Sequence, residues 1–87
     1  MRWTVVWMPK AEADLAELWI ESEDREALTF AIDLIDELLS QDPLKQGESR
    51  EGQERWLIMR PVTIQYAVSP DDRLVTVLTI WPVRIPF

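Results

Sequence analysis

The chain contains neither cysteine nor histidine among its 87 residues. Without cysteine no disulfide can staple a small fold, and thiolate metal sites and thiol nucleophiles are excluded. Without histidine the commonest general base and the commonest metal ligand are both missing. Glycine is scarce, at two residues, and no phosphate-binding loop or dinucleotide fingerprint is present. No run approaches the roughly 18 uncharged apolar residues of a membrane span. The opening Arg2-Trp3-Thr4-Val5-Val6-Trp7 is too short for the apolar stretch of a secretion signal, and Lys10, Glu12 and Asp14 follow closely. These absences lead to the expectation of a soluble, cytoplasmic protein that carries no metal or cofactor and has no membrane partner.

Tryptophan and acidic residues are abundant. Five tryptophans supply either apolar area for a small core or anchors for a partner. At this length one domain is expected over residues 1–87, and such a domain buries only about 60% of its unfolded surface. Sixteen acidic residues outweigh nine basic ones, for a net charge of −7. The imbalance is local. Residues 1–53 carry 5 basic and 13 acidic side chains, whereas residues 54–87 carry 4 basic and 3 acidic. Nucleic-acid affinity comes mainly from Lys and Arg on phosphates, so any contact with RNA or DNA falls to the C-terminal part.

The order of elements is the strongest signal. Residues 2–8 are β-branched and aromatic, with Trp3, Val5 and Trp7 alternating onto one face, and Pro9 closes this strand. Ala11, Leu15, Leu18 and Trp19 recur at helical spacing over 10–21 and are assigned to the core, as are Trp3 and Trp7. Ser22-Glu23-Asp24 breaks the helix and caps a second one, from Arg25 to Leu39, whose stripe is Leu28, Ala31, Ile32, Ile35, Leu38 and Leu39. Residues 40–53 read as a polar loop holding both glycines. Strands are expected over 55–60, 62–68 and 73–81, with turns at Pro61 and at Ser69-Pro70-Asp71-Asp72, followed by a proline-broken tail from Pro82 to Phe87. The last strand is apolar on both faces, which places it inside a sheet. The expected fold class is therefore α+β, of order β-α-α-β-β-β. A helical hairpin would pack on one face of an antiparallel sheet, with the first strand at an edge and the opposite face open.

Few residue sets suggest chemistry. The acidic pairs Glu12/Asp14 and Glu17/Glu21 read as a solvated helix face, because two short helices offer no cleft between carboxylates. Arg55, Arg60, Arg73 and Arg84 fall in the sheet half, where arginine either stabilises phosphate charge or pairs with acidic neighbours. Arg55 and Arg60 have opposite parity, so in an unbroken strand they face opposite sides. Tyr66 shares the parity of Val62, Ile64 and Val68, which favours the core. Trp56 and Trp81 flank the sheet and serve either the core or a partner.

Several segments, taken in order, match a known pattern. They are Trp3-Thr4-Val5-Val6-Trp7 with Pro9-Lys10-Ala11-Glu12-Ala13-Asp14-Leu15, then Asp42-Pro43 with Gly47. Arg55-Trp56-Leu57, Pro61-Val62-Thr63-Ile64-Gln65-Tyr66, and Asp72-Arg73-Leu74-Val75-Thr76-Val77-Leu78 ending at Arg84 follow. Across nearly its whole length the chain thus resembles the RelE/ParE superfamily of type II toxin–antitoxin toxins. RelE-type members are ribosome-dependent mRNA endonucleases that use basic residues on the sheet. If this chain were such an endonuclease, Arg55, Arg60 and Arg84 would be its catalytic residues. The sequence has Thr63 where the family's strand pattern has arginine, and it has no histidine and no tyrosine after Arg84. ParE-type members share the fold but inhibit DNA gyrase by binding, which requires a surface rather than a catalytic set. The resemblance therefore implies a ParE-like toxin of a plasmid-stabilisation-type module, with Trp56, Trp81 and Arg84 meeting a partner. A cognate antitoxin would lie over the sheet or its edges. A non-toxic interaction module on the same fold, pairing as a homodimer, is the alternative from another class.

Overall fold

The computed structural model describes residues 2–50 and 52–83. Elements follow in the order β1 (Thr4–Trp7), α1 (Pro9–Glu21), α2 (Arg25–Gln41), β2 (Glu48–Ser49), β3 (Glu54–Met59), β4 (Val62–Ser69) and β5 (Leu74–Pro82). The five strands form one sheet in the order β1-β5-β4-β3-β2. The strands β2 to β5 pair antiparallel, and β1 joins the edge parallel to β5, so the sheet is mixed. The expected α+β class, the helical hairpin and the edge position of the first strand are all present. The β5 strand is inside the sheet, between β1 and β4.

Local chemistry sets the element boundaries. Pro9 occupies the first helical position of α1, where a missing N–H costs nothing and φ is already near the helical value. Asp24 caps α2, its carboxylate oxygen accepting from the Ala27 N–H at 3.0 Å. The stripe Leu28, Ala31, Ile35 and Leu39 on α2 is fully buried and meets Ala11 of α1. Against it the sheet presents Leu57, Val62, Ile64, Tyr66, Val68, Val75, Val77 and Ile80. Trp3, Val5 and Trp7 pack half-buried at the margin of this core, on the face their alternation predicts. No helix among the described residues is long and apolar enough to cross a membrane.

Three expectations are corrected. The stretch read as a loop over 40–53 contains β2, which pairs with Arg55 and Trp56 of β3. Two residues are too few to show any periodicity in sequence, and Glu48-Ser49 has no strand propensity. Trp19 is not in the core but 44% exposed. One residue beyond Leu18, the helix has turned its side chain to the outer groove of the hairpin, where the Arg25 guanidinium stands 5.7 Å from its ring. Finally, Arg60 lies in the turn between β3 and β4 rather than in a strand, because the ladder ends at Met59–Val62.

Candidate functional site

Strand alternation divides the sheet into two unlike faces. On the face away from the helices, the pairing register sets Ile58, Thr63 and Trp81 abreast, and Trp56, Gln65 and Thr79 abreast in the next row. Among the described residues no element covers this face. The indoles of Trp56 and Trp81 come from β3 and β5 and meet across β4 with ring centroids 5.1 Å apart at 77°. This edge-to-face arrangement puts the positive rim of one ring against the negative face of the other. Thr63 lies between their strands and is only 6% exposed, whereas neighbouring Ile58 is 65% exposed.

A groove of about 540 Å³ runs beside the pair, between Gly47, Glu48 and Arg50 on one side and Trp56, Ile58 and Trp81 on the other. The Arg50 guanidinium stands 4.6 Å from the Trp56 ring and pairs with Glu48 at 3.4 Å. Gln65 donates to Glu54 on the same face. The described part of this face therefore offers aromatic and aliphatic area with a polar margin, and its one arginine is already paired. That composition suits recognition of a partner better than stabilisation of a phosphate. Among the described residues no group of three or more acidic side chains is placed to hold a metal ion.

The arginines do not converge. Arg55 points to the helix side, opposite Tyr66 in the ladder, where its Nε donates to the Gln46 carbonyl at 2.9 Å and an Nη to that of Gly47 at 3.4 Å. The buried Tyr66 hydroxyl lies 2.8 Å from the carbonyl oxygens of both Pro43 and Gln46 and shares its proton between them. Burial pushes the Tyr66 phenol above its ordinary pKa, and the adjacent Arg55 guanidinium opposes the rise. Arg55 and Tyr66 thus pin the loop that carries Gly47 to one wall of the groove. Arg60 is exposed in its turn and makes no ion pair or hydrogen bond with another described residue. Arg84 lies outside the described residues.

Trp56 and Trp81 are brought together on the open face. Arg50 belongs beside them, and sequence reading passed it over. It sits in a polar segment with no periodicity, and its position depends on the two-residue β2 and on its N–H donating to the Glu54 carbonyl at 2.8 Å. Gly47, already singled out in the polar loop, lines the groove as well. Its φ is +64°, and a Cβ there would collide with the Trp56 carbonyl oxygen and lie 2.9 Å from its carbon. Only glycine allows this close approach of the loop to β3.

No protein-family model and no curated protein matches the sequence. Solved structures do match. The chain superposes on the RelBE2 toxin–antitoxin complex of Mycobacterium tuberculosis with a TM-score of 0.75 at 19% identity, covering 95% of this chain and 93% of that one. Against the chromosomal ParDE system of Pseudomonas aeruginosa the TM-score is 0.70 at 21% identity, covering 94% of this chain and 97% of that one. The fold also occurs within TrmO of Pseudomonas aeruginosa, with a TM-score of 0.61 at 20% identity, where 93% of this chain covers 33% of the longer one.

Proposed function

We propose that this chain, whose fold is that of the RelE and ParE toxins, is the toxin component of a cytoplasmic type II toxin–antitoxin module. It acts by binding a target such as DNA gyrase, not by cutting RNA, and a cognate antitoxin neutralises it. The observation that carries the reading is the division between the two sheet faces. The open face bears Trp56, Ile58 and Trp81, while Arg55 is turned to the helix side and held by loop carbonyls. An RNase of this fold would need cations gathered where the phosphate lies. With Arg55 and Arg60 apart, and no histidine in the chain, the binding reading is better supported than the endonuclease reading. We further propose that Arg84 contributes to partner binding together with Trp56 and Trp81.

The occurrence of the same fold as one third of a longer protein keeps a second reading in view, a non-toxic interaction module, because a fold does not by itself specify a function. Pulse labelling of DNA and protein synthesis after induction of the chain in bacteria separates the alternatives. The proposal expects DNA synthesis to fall first. A first fall in protein synthesis would favour the endonuclease, and no fall with folded protein present would favour the module.

A further inference from the structure

The helical hairpin carries a groove of its own, of about 480 Å³, between the outer sides of α1 and α2. One stripe from each helix lines it. On α1, Glu12, Leu15, Ala16 and Trp19 fall at i, i+3, i+4 and i+7, with Ile20 next. On α2 the facing positions include Thr29, Ile32 and Asp33. The middle of the groove is apolar, yet Trp19 is 44% and Ile20 70% exposed. A contiguous apolar patch with a charged rim marks a contact surface in a small protein.

The two ends of this groove carry opposite charge. Glu12 and Asp33 stand together at one end. Arg25 stands at the other, its Nε donating to the Trp19 carbonyl at 2.9 Å and an Nη to that of Ile20 at 3.3 Å. Among the described residues no cation pairs with Glu12 or Asp33, and no carboxylate pairs with Arg25. Lys10, the only other cation of the hairpin, is taken by Asp14 at 2.9 Å. Neighbouring acids point elsewhere. Glu21 lines a separate hollow with Pro61 and Pro82, and Glu26 is turned about 100° around the helix from Arg25. Asp36 faces β1, where it accepts from the Trp7 indole at 3.1 Å. Small exposed residues mark the midpoints of both stripes, Ala16 between Glu12 and Ile20 and Thr29 between Arg25 and Asp33.

We propose that the groove is filled by the same groove of a second copy of this chain, packed hairpin to hairpin about a twofold axis near Ala16 and Thr29. A twofold contact sets each end of one groove against the opposite end of its partner. Arg25 of each copy then meets Glu12 and Asp33 of the other. Trp19 and Ile20 of each copy cover Leu15 and Ile32 of the other, and the small midpoint residues let the helices approach closely. Apolar burial supplies the affinity, and the charged ends fix the orientation. A basic helix from another protein would answer Glu12 and Asp33 but bring like charge to Arg25, and an acidic helix would do the reverse. The pairing does not depend on the toxin reading.

The test is sedimentation of the purified chain at about 0.15 M salt, where the repulsion between two acidic chains is screened. The parent is expected to dimerise in the micromolar range. Three variants are compared with it, each checked for folding by circular dichroism: Arg25→Glu, the double variant Glu12→Lys, Asp33→Lys, and Ala16→Glu. Each alone is expected to weaken the dimer at least about tenfold. An equimolar mixture of the first two is expected to regain the parent's affinity to within about threefold. In that mixture the introduced glutamate faces the introduced lysines at one end, while the native Arg25 meets the native Glu12 and Asp33 at the other. A parent that stays monomeric up to about 1 mM would overturn the proposal. So would a dimer that Ala16→Glu leaves intact, or a mixture that associates no better than its two components. If Arg25→Glu does not fold, the parent and Ala16→Glu decide the matter alone.

Discussion

Replacing Tyr66 with phenylalanine keeps the ring in the core but strands the Pro43 carbonyl, which the hydroxyl satisfies. The loss of one hydrogen bond to a buried group costs about 1–2 kcal/mol. Urea unfolding of Tyr66→Phe should show a lower midpoint with an unchanged slope. Asp36 behaves in the opposite sense. Its folded pKa is raised, chiefly by burial, so at neutral pH its ionised form weighs against folding. The folded state takes up the proton first, and this penalty disappears as pH falls from the raised value toward the ordinary value of 3.8. Asp36→Asn keeps an acceptor for the Trp7 indole and removes the charge. It should therefore melt higher than the parent at pH 7, with the gap closing near pH 4. Glu37, held below its ordinary pKa by Arg2, stabilises above that value and loses its contribution on acidification. Glu37 is present in both proteins, so the difference between the two melting curves isolates Asp36.

Gly47→Ala tests whether the loop must approach β3 as closely as it does. A left-handed φ costs a non-glycine residue on the order of 1–3 kcal/mol, and the collision with the Trp56 backbone adds to it. A clear fall in melting temperature is expected, together with loss of the groove wall beside Trp56. Gly52→Ala is the internal control, since its φ is also positive but nothing lies within 4 Å. At this scale the sequence was legible wherever an element was long enough to repeat. The α2 stripe, a cap within Ser22-Glu23-Asp24 and the three long strands follow directly from periodicity and turn residues. The two-residue β2 could not be read because it exists only through pairing with β3. The tryptophan pair was half legible: Trp56 and Trp81 stood out as flanking residues, but their contact across β4 depends on register. The register of β4 against β5 shifts between Gln65 and Tyr66, which no local signal announces. Arg55 was legible as a cation of the sheet half, but its side was settled by its place opposite Tyr66.

The whole molecule is polarised twice, once in charge and once in surface. Its acidic helical half repels nucleic acid, and the described open face of its sheet is aromatic, with its arginine paired. Both features favour a protein partner over an RNA substrate. The most direct measurement is supercoiling by purified DNA gyrase in the presence of the purified chain and of the double variant Trp56→Ala, Trp81→Ala, with folding of both confirmed by circular dichroism. The account predicts that the parent chain inhibits, and that the variant needs at least about tenfold more protein for the same effect. Equal inhibition by both would contradict the role given to the open face. A parent chain that spares gyrase and instead cuts ribosome-bound mRNA would contradict the account as a whole.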